Sequence, residues 1–232
     1  MKKITRKNNF FYLFFALVIL LFSAAVVAEV QGSMMEDLFS FMTVLMLLAS
    51  IKSLKTDVTV KWFIYLVIAV FIVLTLLGKF FPHHFDVYFI LFTLLLFFVG
   101  AFAAAFRQVL FVGDIDGNKI IGSMTLYLLL GLIWAMIYLI ILATDHQAFS
   151  GIEAGSWQQI FARVAYYSFV TLTTLGYGDI LPTNHIAEFF VSMEAVFGVF
   201  YMAIIVSSLI SLHLSAIQEK RADEVCRKEE PK

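Results

Sequence analysis

Long apolar runs, broken only by short polar stretches, cover most of the chain. Six of them approach or reach the roughly 20 apolar residues that an α-helix needs to cross a bilayer. They are Phe10 to Ala28, Leu38 to Leu54, Trp62 to Gly78, Val87 to Phe106, Ile120 to Thr144, and Ile186 to about Leu214. The second is the weakest, because its uncharged part ends at Lys52; Lys52 and Lys55 must snorkel to the interface if it spans. The sixth is interrupted by Glu188 and Glu194. Between the last two lies Trp157 to Thr173, too short and too polar at its start to span. It reads as a re-entrant helix that descends part of the way and hands over to a loop. The pattern predicts an all-α membrane protein with six transmembrane helices and one re-entrant helix.

Composition agrees. The chain is 62% hydrophobic and only 14% charged, which excludes an ordinary soluble domain. The net charge of -1 says little, but the placement of charge says more. With the N-terminus inside and the helices alternating, 14 of the 16 basic residues fall on the inner side. Only Lys79 and Arg163 fall outside, a strong positive-inside bias. Both termini are then cytoplasmic, and the loop after the re-entrant helix faces outward. The first run could instead be a signal peptide, with small residues at Ala24, Ala25 and Ala28. Its apolar stretch is longer than an ordinary h-region, so a retained helix is expected. The lone Cys226 rules out an internal disulfide. Gly113 to Lys119 has the look of a calcium loop, but its twelfth position is Thr125 and not Glu, so it reads as a turn. His83, His84, His146 and His185 fall outside and His213 inside; they read as ordinary loop residues.

The most informative string is Thr173-Thr174-Leu175-Gly176-Tyr177-Gly178-Asp179. Glycines at alternate positions permit backbone angles closed to residues with a Cβ. Such a stretch can aim successive carbonyls at one axis and replace the water shell of a dehydrated K⁺ ion. The string is a near-match to the filter loop of potassium channels, with Leu175 where Val is usual. The wider motif, Tyr166 to Pro182, resembles the family signature at nearly every position, and Ile121 to His213 resembles the two-helix pore module of tetrameric potassium channels. The resemblance implies that carbonyls of Thr174, Leu175, Gly176 and Tyr177, with the Thr174 hydroxyl and the turn at Gly178, form the ion sites. It implies that Tyr166 and Tyr167 form an aromatic cuff around the filter, with Tyr177 pointing into it and Asp179 at the outer mouth. Gly198, twenty positions after Gly178, matches a hinge glycine or a close helix contact. Val199, Met202, Val206 and Ile210 would then face the inner cavity. Glu194 lies one turn before Gly198, at a depth where a carboxylate is costly. It reads either as a strut to the re-entrant helix, through Ser168 or Thr171, or as a packed, water-linked acid.

One filter sequence per chain implies a homotetramer, since four strands surround the axis. The organisation follows: a cytoplasmic segment at 1–9, a four-helix region at 10–106, a cytoplasmic linker at 107–120, the pore module at 121–213 and a cytoplasmic tail at 214–232. The six-helix plan resembles voltage-gated channels, but the fourth run carries no basic residue until Arg107, so the arginine sensor is missing. A K⁺-selective channel in a bacterial inner membrane is the leading expectation, with K⁺ and lipid as partners, no cofactor and no nucleic acid. A non-selective cation channel of the same fold is the alternative. An intramembrane enzyme lacks a catalytic set, and a secondary transporter lacks visible repeats or broken helices.

Overall fold

Apolar runs of this length fold as helices because a helix satisfies every backbone polar group within itself, which a lipid surrounding demands. The computed structural model describes residues 9–30, 32–53, 58–80, 85–111 and 117–207. Within them the helices are α1 (Asn9–Glu29), α2 (Ser33–Ser53), α3 (Val58–Phe80), α4 (Phe85–Phe111) and α5 (Gly117–Thr144), then α6 (Trp157–Leu172) and α7 (His185–Phe200). The chain continues from α7 as a π-helical segment, Tyr201–Val206. Two short antiparallel strands, β1 (Phe149–Ser150) and β2 (Leu181–Pro182), pair Phe149 with Pro182 and Ser150 with Leu181. Helix occupies both ends of the stretch read as a linker, since α4 continues to Phe111 and α5 begins at Gly117.

By length and composition, α1, α2, α4, α5 and α7 can each cross a membrane, α7 with the first residues of the π segment. The apolar part of α3, Trp62–Gly78, is shorter. Apolar helices of this length are those of an integral membrane protein.

Polar side chains inside the bundle satisfy themselves locally. Thr43 donates to Phe39 O at 2.9 Å, Ser50 to Leu47 O at 2.6 Å and Thr125 to Ile121 O at 2.8 Å. Such back-bonds let hydroxyls sit in an apolar core without a tertiary partner.

Helix α5 is central: α4, α1, α6 and α7 all pack against it. Small residues permit the close approaches. A Cβ on Gly122 of α5 would meet Val109 of α4 at 2.7 Å and Phe10 of α1 at 2.9 Å. Phe10 N also donates to Asn118 Oδ1 at 3.1 Å, so the starts of α1 and α5 and the end of α4 lie together. At the other end, a cavity of about 710 Å³ is lined from the starts of α2, α4 and α6 and the ends of α3 and α5. Helices α1 to α5 therefore alternate in direction.

Candidate functional site

Helix α6 is a 16-residue helix whose buried side carries Phe161, Val164, Ala165, Ser168 and Leu172. Its last turn closes with Thr173 N donating to Phe169 O at 3.0 Å. The chain then folds back on the helix end. Thr174 N donates to Thr171 O at 2.9 Å and Leu175 N to Val170 O at 2.9 Å. Beyond that point φ alternates in sign: Thr174 lies at 58°, Gly176 at 60° and Gly178 at 79°, with Leu175 and Tyr177 negative between them. Thr174 is the one non-glycine residue with positive φ among the described residues. In a β-strand successive carbonyls point to opposite sides; left-handed angles at every second residue turn them toward the same side. A polar row of main-chain oxygens is the chemistry that can replace an ion's hydration shell. The loop from Thr173 to Asp179 is exposed in the single chain, Tyr177 at 66%.

Side chains brace the loop from two directions. On the outer side, the rings of Tyr166 and Tyr177 lie stacked at 6.5 Å with planes 8° apart. The Arg163 guanidinium sits 5.7 Å over Tyr166, donates to Gly151 O at 3.0 Å and lies 3.9 Å from the Asp179 carboxylate. That ion pair is exposed and long, so it contributes little to stability. A Cβ on Gly151, which has φ 81°, would run into the Asp179 carbonyl, so this turn requires glycine. Tyr167 turns the opposite way. It is buried against Tyr138 and Phe149, each ring 5.6 Å distant, so within one chain only Tyr166 of the tyrosine pair meets Tyr177.

Behind the loop lies Glu194, fully buried. The Ser168 hydroxyl of α6 donates to its Oε1 at 2.5 Å, and Tyr138 of α5 donates to its Oε2. Gly131 O is a second acceptor for Ser168 at 2.7 Å. One carboxylate thus joins α5, α6 and α7. Ser168 is the polar group of α6 that reaches Glu194. Tyr138 is the member that sequence reasoning missed. It is a polar tip in an apolar run, 56 residues from its acceptor, with no local spacing to mark it.

Four residues beyond Glu194, Gly198 lies against the last carbonyl of α6: a Cβ there would collide with Leu172 O and lie 3.0 Å from its carbon. The π-helical segment begins three residues later. Tyr201, its first residue, donates to Ser123 O at 2.5 Å and ties it to α5. Val199 and Met202 are exposed. Val206 is the last residue of the π segment. Ile210 lies outside the described residues, as do His83, His84, His213, Cys226 and most of the calcium-like loop.

The outer ends of α5 and α7 are clasped by the β1–β2 pair, by Thr183 N on Ala148 O at 2.9 Å and by Asn184 Nδ2 on Asp145 Oδ2 at 2.8 Å. Asn184 also caps α7, its Oδ1 accepting from Ala187 N at 2.8 Å. Among the described residues no three His, Cys, Asp or Glu side chains are grouped to hold a metal ion.

A protein family described as "Ion channel" matches residues 124–214. No curated protein and no solved structure matches the chain. Residues 124–214 are therefore similar to an ion-channel pore module, which points to a channel and not to an enzyme.

Proposed function

We propose that four copies of the chain surround one axis and pass K⁺ passively across a membrane in preference to Na⁺. The observation that carries this reading is the alternating backbone of Thr174, Gly176 and Gly178 inside the filter string. Carbonyls of Thr174, Leu175, Gly176 and Tyr177 then bind the dehydrated ion, with the Thr174 hydroxyl at the inner end. Asp179 stands at the outer mouth. The C-terminal end of α6 adds a favourable dipole for a cation beneath the filter.

Fourfold assembly is supported by what one chain leaves uncovered. Helix α7 buries only Ala187, Glu194 and Gly198, a single stripe, while Phe189, Val196, Phe197, Val199 and Phe200 stay exposed. Such a surface beside an exposed filter loop suits contact with further copies and with an inner cavity. In that cavity we place Val199 and Met202. Gly198, followed by the π-helical turn, is the candidate hinge, since a π-helical turn is a frequent mark of functional segments. All six apolar runs cross the membrane in this reading, and both termini are cytoplasmic.

Reconstitution in liposomes tests the reading directly. With opposed K⁺ and Na⁺ gradients, the protein is expected to carry K⁺ flux well above Na⁺ flux. Equal fluxes would replace the selective reading by the non-selective one, and no flux would refute both.

A further inference from the structure

We propose that Glu36, near the start of α2, is a positioning residue for α6, and that α2, beside the packing of α1 on α6, is an element through which the four-helix region acts on the filter. The proposal rests on the channel reading above. Glu36 Oε1 accepts from the Ser156 hydroxyl at 2.6 Å and from the Gln159 side-chain amide at 3.0 Å. Ser156 is the residue that caps α6, and Gln159 lies in its first turn. Gln159 Oε1 in turn accepts from Ser156 N at 3.4 Å, which closes a ring of hydrogen bonds around the helix start. A carboxylate suits this place, because the unpaired N–H groups and the dipole of a helix N-terminus favour negative charge. Here the charge comes from another element, 120 residues away in sequence from Ser156.

A second contact fixes the same joint. Phe39, three residues along α2 and so on the same face, is buried against the rings of Trp157 at 5.7 Å and Phe161 at 5.1 Å. A carboxylate and an aromatic ring of α2 thus grip the first two turns of α6. The far end of α6 holds the filter through Leu175 N on Val170 O at 2.9 Å. Helix α6 is unbroken between these points, so a shift of α2 at Ser156 is transmitted as a tilt at Thr174. Packing alone needs only apolar surface between the two regions. The paired hydrogen bonds to one acid fix the azimuth and depth of α6 as well.

The test uses the full chain in liposomes. Glu36→Gln keeps an oxygen acceptor for both donors and is expected to match the wild type in Na⁺-to-K⁺ permeability ratio. Glu36→Ala frees both donors. Amide exchange at residues 157–160 is expected to rise about tenfold, the effect of losing hydrogen bonds of ordinary strength. The permeability ratio is expected to shift while the assembly stays intact. A double variant, Ser156→Ala with Gln159→Ala, approaches the joint from the other side and should reproduce the shift; adding Glu36→Ala to it should change nothing further. If Glu36→Ala does not assemble, the double variant carries the test. A wild-type ratio in the assembled alanine variant, or effects that simply add, overturns the proposal. Exchange is read whether or not the protein conducts. Absent K⁺ flux in the wild type therefore refutes the channel reading, while unchanged exchange in Glu36→Ala refutes the role of Glu36.

Discussion

Gly176 and Gly178 adopt positive φ without strain, whereas Thr174 does so at a cost of about 1–2 kcal/mol. Alanine at either glycine would add a similar cost. The space around a Cβ is open at both positions within the chain, so the damage would come from the backbone and not from a clash. Relaxing to negative φ would swing a carbonyl off the row. Gly176→Ala and Gly178→Ala are therefore expected to lose K⁺ preference in liposome flux; selectivity unchanged in both would remove the filter assignment. Glu194 offers a second test. Glu194→Gln keeps an oxygen for Tyr138 and should assemble with modest changes in conduction. Glu194→Val leaves Ser168 its bond to Gly131 O but strands the buried Tyr138 hydroxyl, which costs about 1–3 kcal/mol. The valine variant should melt lower and conduct less when the two are compared side by side, and wild-type melting would show that Glu194 braces nothing. The positive φ of Gly176 and Gly178 was legible because it is local: a glycine at every second position states a backbone requirement in the sequence itself. Tyr138 and Arg163 were not, because hydrogen bonds and ring contacts between distant helices leave no periodic trace.

At the scale of elements, the fourth helix decides how the channel responds to voltage. Helix α4 presents Leu91, Leu94, Phe97, Phe98 and Ala101 to the core, and its one arginine, Arg107, lies in its last turns. Moving one charge through the field yields about 2.3 kcal/mol per 100 mV, so a steep response needs several charges per chain. Conductance is expected to vary only weakly with voltage. A gating charge of several units tracking movement of α4 would contradict this. Hydropathy placed both ends of α1, α3, α5 and α6 close to those observed, because apolar length is written in the composition of each run; the end read for the sixth run, Leu214, lies outside the described residues. The ends themselves differ where polar residues extend a helix past its apolar part, as Ser33 to Asp37 do for α2. The π-helical turn after Gly198 was not foreseen; no proline or glycine within Tyr201–Val206 announces it.

For the whole molecule, the pore module was legible from one motif, and the family match over residues 124–214 agrees with it. How the four preceding helices meet that module was not legible, since their surfaces are uniformly apolar and many pairings satisfy such faces. The joint between α2 and α6 depends on one acid in the first turn of α2, and only the folded chain singles it out. In the single chain the loop from Thr173 to Asp179 is exposed and one flank of α7 is uncovered. In the proposed tetramer this makes the ion site common property, and one defective copy is enough to spoil it. When wild-type and Gly176→Ala chains are made in equal amounts and assemble at random, only about one assembly in sixteen contains four intact strands, as fourfold closed symmetry requires. Flux should fall to roughly that fraction, and not to half, so the dose dependence of a mixed population counts the subunits. A fall in simple proportion to the wild-type share would mean that each chain works alone.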